Sequence, residues 1–142
     1  MNSPKSRIVV GVDGSDASLD AIRWGLRQAE LTGYELEAVT SWQFPSQYAE
    51  FAAEKIDWDE GAKTLLDDAL AKVENEADVQ ITRTTAQGHP AAVLTDASMN
   101  AELLVVGSRG HGGFVGMLLG SVSGHVSAHA HCPVVVVRHR AG

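Results

Sequence analysis

Five short segments rich in branched apolar residues divide the chain and predict β-strands. Residues 7–13 and 103–106 are mainly Val, Ile and Leu, which is typical of strands buried on both faces of a sheet. Residues 79–84 alternate between apolar and polar side chains, which predicts a strand at the sheet edge. Residues 35–41 and 133–138 are the other two predicted strands.

Four segments between these strands carry apolar residues at helical spacing and predict α-helices. The first has Ser15 or Asp16 as its cap and stops at Gly33. The predicted helices span residues 16–32, 57–76, 90–100 and 121–130. Strands that alternate with helices predict a doubly wound α/β fold, in which helices cover both faces of a mostly parallel, five-stranded sheet.

A glycine-rich loop follows the fourth predicted strand and leads into the last helix, from Gly107 to Ser121. A backbone that approaches an anion closely, or adopts positive φ, has no room for a Cβ atom. The helix N-terminus adds unpaired N–H groups and a favourable dipole, and Ser121 is expected to be its N-cap. The loop therefore predicts a phosphate site. The alternative is a surface loop that is glycine-rich without binding anything.

Two better-known phosphate loops do not fit this spacing. A Walker loop needs Gly-Lys-Ser/Thr, but no lysine precedes Ser121. A dinucleotide-binding fingerprint would need its third glycine where Val115 stands, and it belongs after the first strand rather than the fourth. The loop is thus of a different type.

Asp13 stands at the carboxyl end of the first predicted strand. Ligands of open α/β sheets bind at the carboxyl ends of strands, where the strand order reverses. If the first and fourth strands flank that point, Asp13 faces the same crevice as the glycine-rich loop. It is then a candidate to bind a ribose hydroxyl or a phosphate-bound metal. The alternative is an aspartate that only caps the turn into the first helix.

Composition and charge indicate the class of protein, its location and the kinds of molecule that it binds. A chain of 142 residues that is 44% apolar and 20% charged predicts one globular domain, not a disordered or membrane protein. The N-terminal residues hold too few apolar positions for a signal peptide or a membrane span, so the expected location is cytoplasmic. The net charge of −7 argues against nucleic acid or an anionic membrane surface as the main partner.

Cysteine and histidine offer two further candidates. The single cysteine, Cys132, excludes an internal disulfide framework, and its apolar setting favours a packing role. His125 and His129 lie four residues apart on the last predicted helix, with His131 beyond, and this resembles a metal-ligand spacing. No glutamate lies between them as in His-Glu-x-x-His, so ordinary histidines are favoured and no metal site is assigned.

The chain resembles a single-domain universal stress protein over nearly its whole length. Residues 9–15, the Gly88-His89-Pro90 turn and residues 132–137 carry the similarity. Gly107, two residues, Gly110, nine residues and then Gly120-Ser121 is the spacing of the family's ATP-binding subgroup. Glu102 departs from the family, in which aspartate is common before the fourth strand, but it lies away from the implied site.

The resemblance implies a strand order of 3-2-1-4-5 and an ATP site at the carboxyl ends of the strands. Adenine and ribose are expected near Gly11, Val12, Asp13, Thr40 and Ser41. The triphosphate, with or without Mg²⁺, is expected on Gly107, Ser108, Arg109, Gly110, His111, Gly112, Gly113, Gly120, Ser121 and Val122. Of the three tryptophans, only Trp42 lies near the implied adenine pocket. A symmetric homodimer is expected through the last strand, at Val134, Val135, Val136 and Val137.

These features favour a nucleotide-dependent regulatory module of the stress response, with no catalytic residues assigned. The alternative is a slow nucleotide hydrolase. It is disfavoured because no residues are placed to orient an attacking water, and Arg109 is the lone arginine of the loop. The glycine spacing is also compatible with another adenine nucleotide, cyclic AMP included.

Overall fold

The computed structural model describes residues 6–43, 58–108 and 120–139, and within them a five-stranded sheet forms the centre of the molecule. The strands are β1 (Arg7–Gly11), β2 (Glu35–Trp42), β3 (Ile81–Gln87), β4 (Leu103–Gly107) and β5 (Val134–Val137). All four pairings are parallel and the spatial order is β3-β2-β1-β4-β5. The doubly wound fold and the implied 3-2-1-4-5 order are therefore confirmed, with β3 and β5 at the edges.

The described helices follow the pattern of the sequence, with caps that explain where they begin and end. They are α1 (Asp16–Thr32), α2 (Trp58–Ala71), α3 (Pro90–Ala97) and α4 (Ser121–His129). Ser15 caps α1 by accepting the N–H of Ser18, and Gly33 ends that helix in the left-handed region at φ 78°. No described helix combines the length and apolar character that a membrane crossing requires.

Two hydrophobic clusters, one on each face of the sheet, hold the helices in place. On one face, Ile8, Val10 and Val105 of the strands pack against α1 and α2 through Ile22, Leu26, Leu66 and Leu70. On the other face, Val9, Leu104 and Val106 pack against Leu94 of α3 and Val126 of α4. Burying each such side chain contributes about 1.5–3 kcal/mol. Alternate residues of β1 and β4 thus serve opposite layers, which explains why these strands are apolar throughout.

Cys132 is half-buried beside the second cluster, and this burial raises the pKa of its thiol. A raised pKa lowers the thiolate fraction at neutral pH. The packing role expected from the sequence agrees with this environment.

Several element boundaries differ from the predicted ones. The third strand is Ile81–Gln87 rather than residues 79–84, because β2 runs on to Trp42 and its register pairs Trp42 with Gln87. The second helix ends at Ala71, and a separate 3₁₀ turn covers Glu74–Glu76. Strand β1 ends at Gly11, two residues before Asp13. The last strand is likewise shorter than predicted.

Candidate functional site

The strand order reverses between β1 and β4, and the carboxyl ends of these strands carry the predicted site residues. Strand β1 pairs with β2 on one side and with β4 on the other. The chain leaves β1 through Val12 and Asp13, and it leaves β4 through Ser108. Crevices of this kind are where open α/β sheets bind their ligands. The structure thus brings the end of the first strand and the start of the glycine-rich loop to the same edge of the sheet.

Thr40 of β2 stabilises the backbone at the β1 side of this crevice. Its Oγ1 donates a hydrogen bond of 2.9 Å to the carbonyl oxygen of Val12, and both residues are buried. The N–H of Val12 donates to the carbonyl of Val39 at 2.8 Å, which continues the strand pairing beyond Gly11. The hydroxyl proton of Thr40 is therefore engaged by the backbone of Val12. Ser41, the next residue, is half-buried, whereas Thr40 is buried.

Asp13 has a structural role in the turn between β1 and α1, which was one of the two roles that the sequence allowed. Its exposed carboxylate accepts two hydrogen bonds at Oδ1, from the backbone N–H of Ser15 at 2.9 Å and from Ser15 Oγ at 2.5 Å. Ser15 in turn caps α1. Asp13 therefore stabilises the turn into the first helix, as the alternative interpretation supposed, while its exposure leaves the carboxylate accessible at the crevice.

Two of the predicted ligand-binding glycines lie in tight contacts between the sheet and its helices. A Cβ atom on Gly107 would lie 2.8 Å from Ala17 Cβ and 2.9 Å from its backbone carbonyl carbon, so α1 could not approach β4 as it does. A Cβ atom on Gly11 would lie 2.7 Å from Leu94 Cδ1 of α3. These glycines let helices pack closely against the centre of the sheet. Both glycines are also predicted from the sequence to contact the ligand.

The two ends of the glycine-rich loop are tied together. The N–H of Gly120 donates to the carbonyl oxygen of Ser108 at 2.5 Å, and Ser123 Oγ donates to the same oxygen at 3.1 Å. The N–H of Ser108 donates to Val137 at 2.8 Å, which anchors it to β5. Arg109, Gly110, His111, Gly112 and Gly113 lie outside the described residues.

Helix α4 begins at this tie, and its first turn differs from the predicted one. Gly120 rather than Ser121 is the N-cap, and Ser121 is the first helical residue, with an exposed side chain. Gly120 has φ −69° and ψ 166°, a conformation that any residue can adopt, so its backbone does not require glycine. Because a glycine cap has no side-chain acceptor, Gly120 itself offers no capping side chain to the first N–H groups of α4, around Ser121 and Val122. The positive end of the helix dipole therefore lies beside Ser108.

A polar cluster at the ends of β2 and β3 was not predicted. Asp59 Oδ1 accepts hydrogen bonds from Trp42 Nε1 at 2.9 Å and from Thr85 Oγ1 at 2.7 Å, and Lys63 Nζ lies 3.1 Å from Oδ2. The hydrogen bond from Thr85, followed by those from Lys63 and Trp42, lowers the pKa of Asp59 below its ordinary value of 3.8. The cluster fastens the first turn of α2 to the edge of the sheet next to Ser41.

Comparison with known proteins agrees with this architecture. The sequence model of the universal stress protein family matches residues 5–138. The chain belongs to the universal stress protein family. It is similar to a universal stress protein of Mycolicibacterium smegmatis, with 37% identity over 134 residues that make up 94% of this chain and 46% of that protein. The chain thus spans about half the length of the curated relatives it matches.

Solved structures of the family share the fold of this universal stress protein chain. UspA from Lactobacillus plantarum superposes with a TM-score of 0.80 at 23% identity, covering 96% of this chain and 100% of that one. A universal stress protein in complex with cAMP superposes with a TM-score of 0.72 at 27% identity, covering 97% and 100%. The first similarity concerns the fold alone, whereas the second comes with a ligand on the related protein.

Proposed function

We propose that this universal stress protein binds an adenine nucleotide, ATP in particular, in the crevice between the ends of β1 and β4, and that binding makes it a nucleotide-dependent regulatory module of the stress response. The observation that carries the proposal is the tie between Ser108 and Gly120. It holds the N-terminus of α4, which begins at a glycine cap, at the strand-order reversal, where a phosphate would meet backbone N–H groups. Such a site needs no net positive charge, which suits a chain of charge −7.

In this proposal the two sides of the crevice contact different parts of the nucleotide. Asp13, exposed at the end of β1, is positioned for the ribose hydroxyls. Thr40 acts indirectly by holding the Val12 carbonyl, and Ser41 borders the adenine. The related protein in complex with cAMP, 27% identical, supports an adenine nucleotide as the ligand class. Mg²⁺ would act through the phosphates, with Asp13 as the nearest candidate carboxylate.

Slow hydrolysis is the second candidate function. Asp13 is the carboxylate at the described part of the crevice, and its Oδ1 already holds Ser15. A carboxylate engaged in a turn is a poor arrangement for activating water. Turnover is therefore expected far below the roughly 1 to 100 per second of kinases.

We further propose a symmetric homodimer through β5, because an apolar edge strand is a pairing surface that proteins cover or use. The cytoplasm is the proposed location, in keeping with one cysteine and no disulfide partner for it in the chain.

The decisive experiment identifies the nucleotide released when the purified protein is denatured, and then titrates the emptied protein with ATP, AMP and cAMP by calorimetry. Gly120→Val should lower ATP affinity at least about tenfold, because a branched side chain would crowd the helix N-terminus. Gly124→Ala, one turn further along α4 in open space, is the matched control and should bind like the wild type. Unchanged ATP affinity in a folded Gly120→Val protein would exclude a phosphate site at this helix.

A further inference from the structure

His125 and His129 bring two imidazole rings together on the outer face of α4. They lie one turn apart in a regular helix, and both are exposed. Their ring centres are 4.5 Å apart and the ring planes are tilted by 39°. Residues at this spacing share one helix face, and two histidines so placed can ligate a single metal ion. The sequence spacing alone did not favour a metal site, and the ring distance is the new observation.

The distance between the rings matches a chelate. A metal bound about 2.0–2.1 Å from an imidazole nitrogen lies about 3.2 Å from the ring centre. Two rings at right angles around one ion then have centres about 4.5 Å apart, and a tetrahedral angle separates them to about 5.2 Å. The observed 4.5 Å agrees with the right-angled arrangement. Rotation of the two exposed side chains would then aim one nitrogen of each ring at the shared ion.

We propose that His125 and His129 form a surface site for a divalent transition-metal ion, bound through one nitrogen of each imidazole. Right-angled coordination is typical of Cu²⁺ and Ni²⁺, and the general affinity order also places Cu²⁺ above Ni²⁺ and Zn²⁺ in most nitrogen sites. Mg²⁺ and Ca²⁺ are excluded because they take oxygen ligands. The site is distinct from the proposed phosphate contact at the start of α4, since His125 is the central residue of the helix and His129 its last.

Water would complete the coordination of this ion. Within residues 6–43, 58–108 and 120–139, no group of three or more His, Cys, Asp or Glu side chains is arranged to hold a metal. Two protein ligands and several waters describe an exchangeable site rather than a structural metal centre.

Metal binding should also stabilise α4 itself. The helix has nine residues and includes Gly124, Val122 and Val126, which are weak helix formers. Helices this short depend on their packing against the rest of the protein. A metal that bridges His125 and His129 in the folded state, and not in the unfolded chain, raises the melting temperature with metal concentration.

The test titrates the tag-free chain of 142 residues with CuCl₂, NiCl₂ and ZnCl₂ by calorimetry and records its melting temperature. His125→Asn and His129→Asn should each lower the affinity at least about tenfold, because the second ligand supplies the chelate effect. His131→Asn is the matched control, since His131 is exposed nearby but lies beyond the helix. It should bind Cu²⁺ like the wild type.

Circular dichroism verifies that each variant is folded before the comparison. The proposal is overturned if His125→Asn or His129→Asn binds Cu²⁺ as the wild type does, or if His131→Asn loses as much affinity as they do. It is also overturned if Zn²⁺ binds more tightly than Cu²⁺, or if the metal leaves the melting temperature of the wild type unchanged.

Discussion

Thr40 Oγ1 donates a hydrogen bond of 2.9 Å to the carbonyl oxygen of Val12, across the gap between β2 and the turn after β1. Thr40→Val keeps the side-chain shape but removes this donor inside a buried site. We expect a loss of about 1–3 kcal/mol in the free energy of unfolding, the usual cost of depriving a buried polar group of its partner. Urea denaturation of the variant and the wild type measures this loss of unfolding free energy. Thr82→Val, at an exposed position of β3, is the control and should change the value by less than about 0.5 kcal/mol.

Asp13 has two possible roles at the crevice, and a pair of variants separates them. Asp13→Ala removes the carboxylate and both of its contacts to Ser15, whereas Ser15→Ala removes only the hydroxyl contact and leaves the carboxylate held by the backbone N–H of residue 15. If Asp13 binds the ribose, Asp13→Ala lowers ATP affinity by about tenfold, equivalent to one or two hydrogen bonds. Ser15→Ala should then stay within about twofold of the wild type, at a stability cost of about 1 kcal/mol for the lost cap. Equal losses of ATP affinity would assign Asp13 to the turn alone.

Gly107 at the end of β4 and Gly124 within α4 differ in whether they tolerate a side chain. Gly107→Ala should destabilise the protein by about 1–3 kcal/mol, because the new methyl group meets the backbone of Ala17 and overpacks the contact between α1 and β4. Gly124→Ala should instead stabilise it by about 0.5–1 kcal/mol, because its Cβ enters open space within a helix. Thermal unfolding of both variants tests the contrast. A Gly107→Ala protein as stable as the wild type would show that α1 can shift away from the sheet.

The strands and helices were predictable because the spacing of apolar residues along the chain differs between the two. Strands β1 and β4 are apolar throughout because helices cover both of their faces. The packing role of Gly107 could not be predicted from the sequence. A glycine next to a predicted ligand loop is explained equally well by an anion or by a close helix, and the close helix becomes visible only with the position of Ala17. Asp59 is a second case, because its contacts with Trp42 and Thr85 depend on the register of β2 and β3. The cap at Gly120 instead of Ser121 is a shift of one residue, which is within the usual uncertainty of helix ends.

Asp59 should make stability depend on pH in the acid range. Its pKa in the folded protein is lowered from 3.8, chiefly by the hydrogen bond from Thr85. A carboxyl group whose pKa is lowered by folding stabilises the protein above its unfolded pKa, and this stabilisation is lost as the pH falls through the folded value. The difference in unfolding free energy between the wild type and Asp59→Asn should therefore be largest at neutral pH and shrink below pH 3.8. Urea denaturation at neutral and acid pH measures it, and a difference that grows on acidification would contradict this.

The open side of β5 can be blocked without disturbing its pairing to β4. The carbonyl oxygens of Pro133 and Val137 accept hydrogen bonds from Leu104 and Ser108 on the β4 side. Because backbone groups alternate in direction along a strand, the N–H of Val136 points to the outer edge. Val136→Pro removes that N–H and is compatible with an edge strand, whereas Val136→Thr keeps both the N–H and the branched shape.

If the homodimer forms through this edge, sedimentation at micromolar concentration should show a dimer for the wild type and for Val136→Thr. Val136→Pro should be a monomer with an unchanged circular dichroism spectrum, because it loses the hydrogen bond to the partner strand but no hydrogen bond to β4. A folded Val136→Pro protein that remains a dimer would move the interface to another surface. A wild-type protein that is monomeric under these conditions would remove the dimer from the proposal altogether, and would leave the apolar edge of Val134–Val137 to be covered by something other than a second copy of this chain.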